Sequence, residues 1–284
     1  MPRRIALGSL LIICCVLVAS CNWGTGDGTA ARESAYARVM RTGQLRVGYI
    51  SYPPSFQKDP NSGEYSGIFH EVLQEAAREM GVKVDYVEEV AWGTMIESVE
   101  SGRVDLVCTG IWPTGARARR AEFSNPIYFS AIKAYVRADD ARFDGRIGAI
   151  DDSQVRIATI DGEMTSVIAR SSYPRAATVS YPQTADISQM LLEVVSNKAD
   201  VTFVETAVGE AFAAKNPGKI RAVASVAPVR VFPNVMMVAK GEFELLSLLN
   251  VTLGQLANDG STDRAISRYE THPGSFRRVS LPYQ

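Results

Sequence analysis

The chain has 284 residues, of which 46% are apolar and 21% are charged. This size and composition predict a globular protein of one or two compact domains and exclude a disordered chain. Lys and Arg number 30 against 31 Asp and Glu, so the basic surplus typical of a nucleic-acid-binding protein is absent. With two histidines, four cysteines and no CxxC or HExxH motif, we expect neither a metal site nor another cofactor.

The first 20 residues have the pattern of a signal peptide. A basic start precedes an uncharged apolar run at residues 5–18, which is shorter than the roughly 20 residues that a membrane-spanning helix needs. The run ends in VASC, which resembles the lipobox of bacterial lipoproteins. This resemblance implies that residues 1–20 are removed and that Cys21 is lipidated. Ordinary signal-peptide cleavage near Ala19 or Ser20 is the alternative.

A tether follows the predicted lipidation site. Residues 22–29 are rich in glycine and aperiodic, which predicts a flexible segment; with a leading helix it completes the region 21–43. No strand precedes the GxGxG pattern within it, so the pattern does not indicate a dinucleotide site. A lipid on Cys21 would hold the protein at a membrane outside the cytoplasm, in a periplasmic location. Cys108 lies in an apolar run and is expected to be a buried, inert thiol.

From residue 45 onward, apolar patterns alternate between strand and helix. Helical spacing is found at residues 68–80, at residues 95–100 and in a helix that starts at Asp186. The predicted strands are residues 45–50, 82–87, 104–108, 155–160 and 200–204. Strands separated by helices predict an α/β protein with a parallel sheet that is covered on both faces.

Two of these helix–turn–strand segments match each other. Residues 95–107 align with residues 190–202 at an offset of 95, and Gly102 corresponds to Asn197 at the helix end. The match predicts two lobes of similar build, although any helix–turn–strand unit gives some similarity. Because ligands bind beyond the carboxyl ends of strands in open α/β sheets, we expect the two strand ends to meet at one cleft.

Five short motifs now carry a resemblance to a known family. They are YPP at 52, GIFHE at 67, SGRVDL at 101, TGAR at 114 and FSNP at 123. The series resembles the family 3 periplasmic solute-binding proteins, the amino-acid receptors of ABC importers, from about residue 45 to the C-terminus.

The resemblance implies a fold. It is a two-lobed, type II periplasmic-binding-protein fold with two crossing hinge strands, which closes on a small ligand. Lobe 1 would comprise residues 44–132 and 233–284, and lobe 2 would comprise residues 133–232. The crossings would lie near residues 131–136 and 230–233.

The resemblance also implies site residues. Arg117 matches the arginine that grips the ligand carboxylate, a task suited to the planar donors of a guanidinium. Glu205 stands where the family has an aspartate for the ligand ammonium, and a carboxylate in a closed cleft needs such a cation. Tyr52 and Trp92 match aromatic residues that pack on the ligand side chain. The alternatives are a solvated arginine, a rim glutamate and ordinary core packing.

Two parts of the expected site depart from the family pattern. Trp112 stands where a Ser or Thr is usual, and Gly110 offers only its backbone. In lobe 2 the Gly-Thr-Thr/Ser turn instead has Glu163, Met164 and Thr165 after the glycine, although N–H groups at this helix start can still bind an anion. Trp112 favours a ligand with a broad apolar or cationic face, and Glu163 favours extra positive charge or a hydroxyl donor.

The expected function is that of a monomeric, lipid-anchored receptor. It would bind a small amino acid or amine-bearing solute and deliver it to an ABC permease, without catalysis. One alternative is a dehydratase-type enzyme on the same fold, in which Glu205 or Glu163 donates a proton. Another is a receptor for a signalling partner. The sequence shows no nucleophile–base pair, and neither histidine has a role in the implied site, so a non-enzyme is expected.

Overall fold

The computed structural model of the protein describes residues 33–224 and 227–279. The predicted signal peptide, Cys21 and the predicted tether at residues 22–29 lie outside the described residues, and their assignments stay predictions. Within the described part, no helix is both long and apolar enough to cross a membrane.

Nine α-helices occur in the described residues. They are α1 Ala35–Thr42, α2 Ile68–Met80, α3 Met95–Glu100, α4 Gly115–Ala118, α5 Met164–Ser172, α6 Ile187–Val195, α7 Thr206–Lys215, α8 Phe243–Asn258 and α9 Ser261–Tyr269. The first is the expected leading helix, and α2, α3 and α6 confirm the three helices predicted from apolar spacing.

Helix α2 shows why the spacing predicts helices. Ile68, Val72 and Leu73 recur on one face of the helix and are buried in the core. Gly81 then adopts a left-handed conformation with φ 71°, and its N–H donates to the carbonyl of Ala77. Glycine takes this conformation without steric penalty, so the helix ends at the predicted position.

Thirteen strands occur in the described residues. They are β1 Gln44–Tyr49, β2 Gln57–Lys58, β3 Tyr65–Ser66, β4 Lys83–Glu89, β5 Leu106–Ile111, β6 Ala121–Phe123, β7 Tyr128–Arg137, β8 Arg156–Ile160, β9 Ala177–Tyr181, β10 Val201–Glu205, β11 Ile220–Ala222, β12 Arg230–Ala239 and β13 Phe276–Arg278. The five predicted strands are confirmed as β1, β4, β5, β8 and β10, with ends displaced by up to three residues.

The main sheet has the order β4-β1-β5-β12-β7-β10-β8-β9. Strand β1 is parallel to β4 and β5, and β8 is parallel to β9 and β10, as predicted. The two central strands correct the prediction of a purely parallel sheet, since β12 is antiparallel to β5 and β7, and β7 is antiparallel to β10. The apolar pattern of a buried strand does not encode its direction, so this reversal is invisible in the sequence.

The two central strands are the crossing strands of the fold. Ser130 of β7 pairs with Phe232 of β12, whereas further along the same strands β7 pairs with β10 and β12 pairs with β5. Each strand therefore belongs to both ends of the sheet. Phe69 and Leu249 are buried in a core around β1 and β5, and Ile168 is buried in another around β8 and β10. The exact lobe boundaries stay a prediction.

A candidate ligand-binding cleft

The ends of β5 and β10 meet as predicted. Trp112 directly follows β5, and Glu205 is the last residue of β10. The indole Nε1 of Trp112 donates a hydrogen bond to Oε1 of Glu205 at 3.1 Å. The two matched segments of the chain thus deliver their strand ends to one place.

Polar side chains from the crossing strands hold this junction. Ser130 of β7 donates from Oγ to Oε1 of Glu205 at 2.8 Å. Asn234 of β12 donates from Nδ2 to Ser130 Oγ at 2.8 Å, and its Oδ1 accepts from Trp112 Nε1 at 3.0 Å. Sequence reasoning missed Ser130 and Asn234. The available signal was a polar residue inside each apolar strand, since such a residue needs a buried partner.

Glu205 is the least compensated group of this network. The residue is 1% exposed, and its second oxygen, Oε2, has no hydrogen-bond partner among the described residues. Burial raises the pKa of Glu205 to about 7, the hydrogen bonds from Ser130 and Trp112 oppose this rise, and the nearby charge of Glu163 adds to it. A cation near Oε2 would stabilise the ionised carboxylate.

Arg117 is positioned by a capped turn of helix. Thr114 Oγ1 accepts from the Arg117 N–H at 3.2 Å, so Thr114 is the N-cap of the helix that carries Arg117. The guanidinium donates to the carbonyl of Trp112 at 2.8 Å and to that of Gly162 at 3.4 Å. It forms no salt bridge with any described residue. Burial lowers the pKa of Arg117, and the charge of Glu163 works against this shift.

Glu163 caps its own helix. It precedes α5 and is 8% exposed, and its Oε2 accepts from the Thr165 N–H at 2.7 Å and from Thr165 Oγ1 at 2.8 Å. The sequence left this helix start free to bind an external anion. In the structure a carboxylate of the chain itself accepts one N–H of the first turn, that of Thr165.

Aromatic rings form much of the remaining wall. Tyr52 and Trp92 pack edge to face with centroids 5.8 Å apart, and Trp112 stacks on Phe232 at 4.8 Å. Gly110 allows the polar network to approach the strand, since a Cβ there would lie 2.7 Å from Asn234 Oδ1. Phe232 was not predicted from the sequence.

These side chains enclose a small cavity. Its lining residues are Tyr52, Trp92, Gly110, Trp112, Arg117, Glu163 and Ile187. About 10 Å³ is open to the centre of a water molecule, enough for about one water. A wider groove of about 610 Å³ shares Tyr52, Trp92 and Ile187 with it. The cavity and the groove thus share part of their walls, and the groove is large enough for a small solute.

Not every predicted residue reaches this cavity. Met164 packs in the core cluster that contains Ile168, and the hydroxyl of Thr165 is bonded to Glu163, so neither lines the wall. Glu205 lies next to the wall through its bond to Trp112. Within residues 33–224 and 227–279, no group of three or more His, Cys, Asp or Glu side chains could hold a metal ion.

A type II periplasmic-binding-protein fold with opposite charges at a closed junction of strand ends defines a protein that binds small solutes. The family model for bacterial extracellular solute-binding proteins, family 3, matches residues 45–272. The chain belongs to this family.

Known relatives include both binding proteins and an enzyme. The L-cystine-binding protein TcyJ of Escherichia coli is 32% identical over 124 residues, which cover 43% of this chain and 44% of that protein. Cyclohexadienyl dehydratase of Pseudomonas aeruginosa is 26% identical over 207 residues, which cover 72% of this chain and 73% of the enzyme. The match to the cystine-binding protein thus spans less than half of that relative.

One solved structure extends the similarity over most of the fold. It is an ancestral amino-acid-binding protein described as a precursor of cyclohexadienyl dehydratase. Its TM-score is 0.72 at 27% identity, and the alignment covers 84% of this chain and 99% of that chain. Binding and catalysis are therefore both represented among proteins similar to this one.

Proposed function

We propose that the protein is a lipid-anchored, extracytoplasmic receptor that captures a small amino acid or related amine and delivers it to an ABC importer. The observation that carries this proposal is the buried carboxyl group of Glu205, whose Oε2 has no partner among the described residues. A cationic group of a ligand would supply the missing partner, and an unpaired buried carboxylate is otherwise costly.

The surroundings of Glu205 support a binding role. Tyr52, Trp92 and Trp112 offer ring faces and edges at the cavity, and such rings pack on apolar stems and attract cations. Binding needs only that the cleft open and close again around the ligand. The proposed lobes, residues 44–132 with 233–284 and residues 133–232, would move about β7 and β12.

Two hydrogen bonds suit the closed state of such a receptor. Arg117 follows β5 and donates to the carbonyl of Gly162, which follows β8. Trp112 follows β5 and donates to Glu205 at the end of β10. Both bonds join residues of proposed lobe 1 to residues of proposed lobe 2, so both would break on opening.

A calorimetric screen tests the receptor proposal. The full-length protein, purified from membranes, would be titrated with the standard amino acids and with simple mono- and diamines. We expect at least one solute to bind with a Kd of about 1 μM or tighter, equivalent to about −8 kcal/mol. A protein that unfolds cooperatively yet binds no member of the panel would contradict the proposal.

The anchor has its own test. Cys21→Ser should abolish palmitate labelling, because the lipid would be attached to that sulfur, and should either release the mature protein from membranes or leave the precursor unprocessed. Cys108→Ala is the matched control, since Cys108 is buried and its Sγ donates to the carbonyl of Phe69. The control should stay labelled, and label that persists on the Cys21 variant would refute lipidation at this residue.

A dehydratase-type enzyme is the second candidate. The raised pKa of Glu205, about 7, would leave a proton available for donation near neutral pH. The substitution Glu205→Gln separates the two functions. In a receptor it should weaken the binding of a cationic solute, whereas in an enzyme it should leave binding intact and stop turnover. Measurable conversion of any captured solute by the wild-type protein would replace the receptor proposal.

A further inference from the structure

The charges around the cavity narrow the class of solute. Arg117 and Glu163 line the cavity, and Glu205 is bonded to its wall. Burial raises the pKa of Tyr52, and the nearby acidic groups of Glu205, Glu163 and Asp186 add to that rise. Negative charge thus exceeds positive charge at this site.

At the helix start that could bind a ligand carboxylate, the N–H and the hydroxyl of Thr165 already have an acceptor. Glu163 Oε2 accepts both the Thr165 N–H and the Thr165 hydroxyl, at 2.7 and 2.8 Å. A ligand carboxylate would have to displace this group or lie beside it. Displacement forfeits these two hydrogen bonds, and close approach of two acidic groups is unfavourable.

Arg117 does not require a ligand carboxylate either. Two of its N–H groups donate to the carbonyls of Trp112 and Gly162, which fix the guanidinium in place. Its positive charge interacts favourably with Glu163, which opposes the lowering of the Arg117 pKa by burial. Arg117 and Glu163 therefore offset each other, and Glu205 is left without a counter-charge.

We infer that Glu163 takes the place of a ligand carboxylate, so that the cleft prefers a small cationic amine or guanidine to the amino acid with the same side chain. This inference rests on the proposed receptor function and makes it narrower. The cation would lie by Glu205 Oε2 and the rings of Tyr52, Trp92 and Trp112, where a desolvated positive charge is attracted to aromatic faces. Glu163 is then the residue that determines specificity.

Matched ligand pairs test the inference. The probes are cadaverine against lysine, agmatine against arginine, and putrescine against ornithine, since each pair differs only by the α-carboxylate. Calorimetry on the wild-type protein should show the amine binding about tenfold or more tighter in at least one pair, which equals ~1.4 kcal/mol. This comparison uses only the wild-type protein, so its result does not depend on whether a substituted protein folds.

Two substitutions assign the preference to Glu163. Glu163→Thr removes the carboxylate and keeps a hydroxyl that can cap α5, so the amine-to-amino-acid preference should fall about tenfold or reverse. Glu163→Gln keeps the shape and one acceptor without the charge and should fall between. Glu244→Gln is the control, because Glu244 is exposed in the first turn of α8 and lines neither the cavity nor the wider groove, and the preference of this variant should equal that of the wild type.

The outcomes separate the inference from the receptor proposal. If the wild type binds the amino acid of every pair more tightly, or binds amino acids of a wider panel and no amine, the inference is overturned and the receptor stands. The same holds if both Glu163 variants keep the wild-type preference. If a protein with an intact thermal transition binds no probe and no amino acid, the receptor proposal itself fails.

Discussion

The two matched segments α3–β5 and α6–β10 are alike where they begin and different where they end. Each helix ends at a left-handed residue, Gly102 at φ 69° in the first and Asn197 at φ 59° in the second. Three residues later, each segment has a buried aspartate immediately before its strand, Asp105 in the first and Asp200 in the second.

Both aspartates fasten the neighbouring parallel strand. Asp105 Oδ2 accepts the backbone N–H of Arg46 at 2.7 Å, and Asp200 Oδ2 accepts that of Arg156 at 3.0 Å. The side chain of each arginine returns to the same carboxylate, at 2.7 Å for Arg46 and 2.9 Å for Arg156. The same sequence pattern has thus formed the same set of hydrogen bonds twice. We call each set, Asp105 with Arg46 and Asp200 with Arg156, a clasp.

The strand ends show what the repeat does not conserve. The first segment ends at Gly110 and Trp112, which supply an open backbone and an indole donor, whereas the second ends at the buried acid Glu205. The start of each strand holds the fold together, and the carboxyl end carries the site, as in other open α/β sheets. Changes at the ends should therefore alter binding, and changes at the clasps should alter stability.

The largest effect is expected at the end of β10. Glu205→Gln should weaken binding of a cationic solute by about 2–5 kcal/mol, roughly thirtyfold to several thousandfold, because it removes the buried partner charge. Trp112→Phe keeps an aromatic ring and loses only the neutral indole N–H that Glu205 and Asn234 share, so the loss of affinity should be smaller, about 1–2 kcal/mol. Titration calorimetry measures both variants.

A matched exposed acid controls for the chemistry of this change. Glu244→Gln in the first turn of α8 alters the same atoms at an exposed position that lines neither the cavity nor the wider groove, and it should keep wild-type affinity. Near wild-type affinity in Glu205→Gln as well would remove Glu205 from the binding site.

The next effect should appear at the clasps, in the free energy of unfolding. Asp200 also accepts from Arg142 at 2.8 Å and from Arg137 at 3.4 Å. Burial would raise the pKa of Asp200, but the hydrogen bonds from Arg156 and Arg142 outweigh it, and the pKa lies well below its usual value. Asp200→Asn should therefore destabilise the protein by about 2–3 kcal/mol, less than a fully buried pair because the arginines are partly exposed.

The pH dependence of this clasp follows from the sign of the shift. The stabilisation by Asp200 is complete above its unfolded pKa and disappears as the pH falls through the lower folded value. Wild type and Asp200→Asn should thus differ in urea stability at pH 7 and converge in acid. Asp85→Asn, on the exposed face of β4, should change stability by less than about 0.5 kcal/mol. Equal, small effects at positions 85 and 200 would mean that the hydrogen bonds of Asp200 do not contribute to the free energy of unfolding.

A tenfold effect is expected from pH at the binding site. Glu205 must be ionised to pair with a cation, and its pKa is raised to about 7 before the ligand binds. Affinity for a cationic amine should therefore fall about tenfold for each pH unit below ~7 and level off above pH ~8, since one pKa unit corresponds to 1.36 kcal/mol. Calorimetry between pH 6 and 8 measures this, and a flat profile would show that Glu205 is already ionised or does not touch the ligand.

The sequence predicted the regular parts of this comparison because they depend on local chemistry. Gly102 and Asn197 mark helix ends through backbone conformation, and the apolar runs of β5 and β10 identify buried strands. The clasp was visible only as a repeated aspartate, because its partners Arg46 and Arg156 lie 59 and 44 residues away in the chain.

The rest of the site was hidden for physical reasons. Ser130 and Asn234 reach Glu205 only through the register of two antiparallel crossing strands, which long-range packing decides. Glu163 was identified as a site residue, but its rotamer was not predictable, since capping its own helix and facing a ligand use the same carboxylate. Helix α7 was missed because its sequence lacks a clear apolar stripe.

The smallest predicted effect concerns the left-handed residues that close the two helices. Asparagine tolerates this conformation better than other side chains but is still strained relative to glycine. Asn197→Gly should stabilise the protein by a few tenths to about 1 kcal/mol, partly offset by loss of the 3.3 Å bond that Asn197 Oδ1 accepts from Arg156. Gly102→Ala should do the opposite and destabilise by about 1–2 kcal/mol.

Urea midpoints at unchanged slope measure these shifts. Gly254→Ala, inside α8 where an added Cβ meets no atom within 4 Å, is the control and should stabilise by roughly 0.5–1 kcal/mol through helix propensity. The test depends on the sign of the stability change. Alanine should stabilise the protein where φ is helical and destabilise it where φ is positive. If Gly102→Ala stabilised the protein as Gly254→Ala does, the left-handed helix end would not be a requirement that the two segments share.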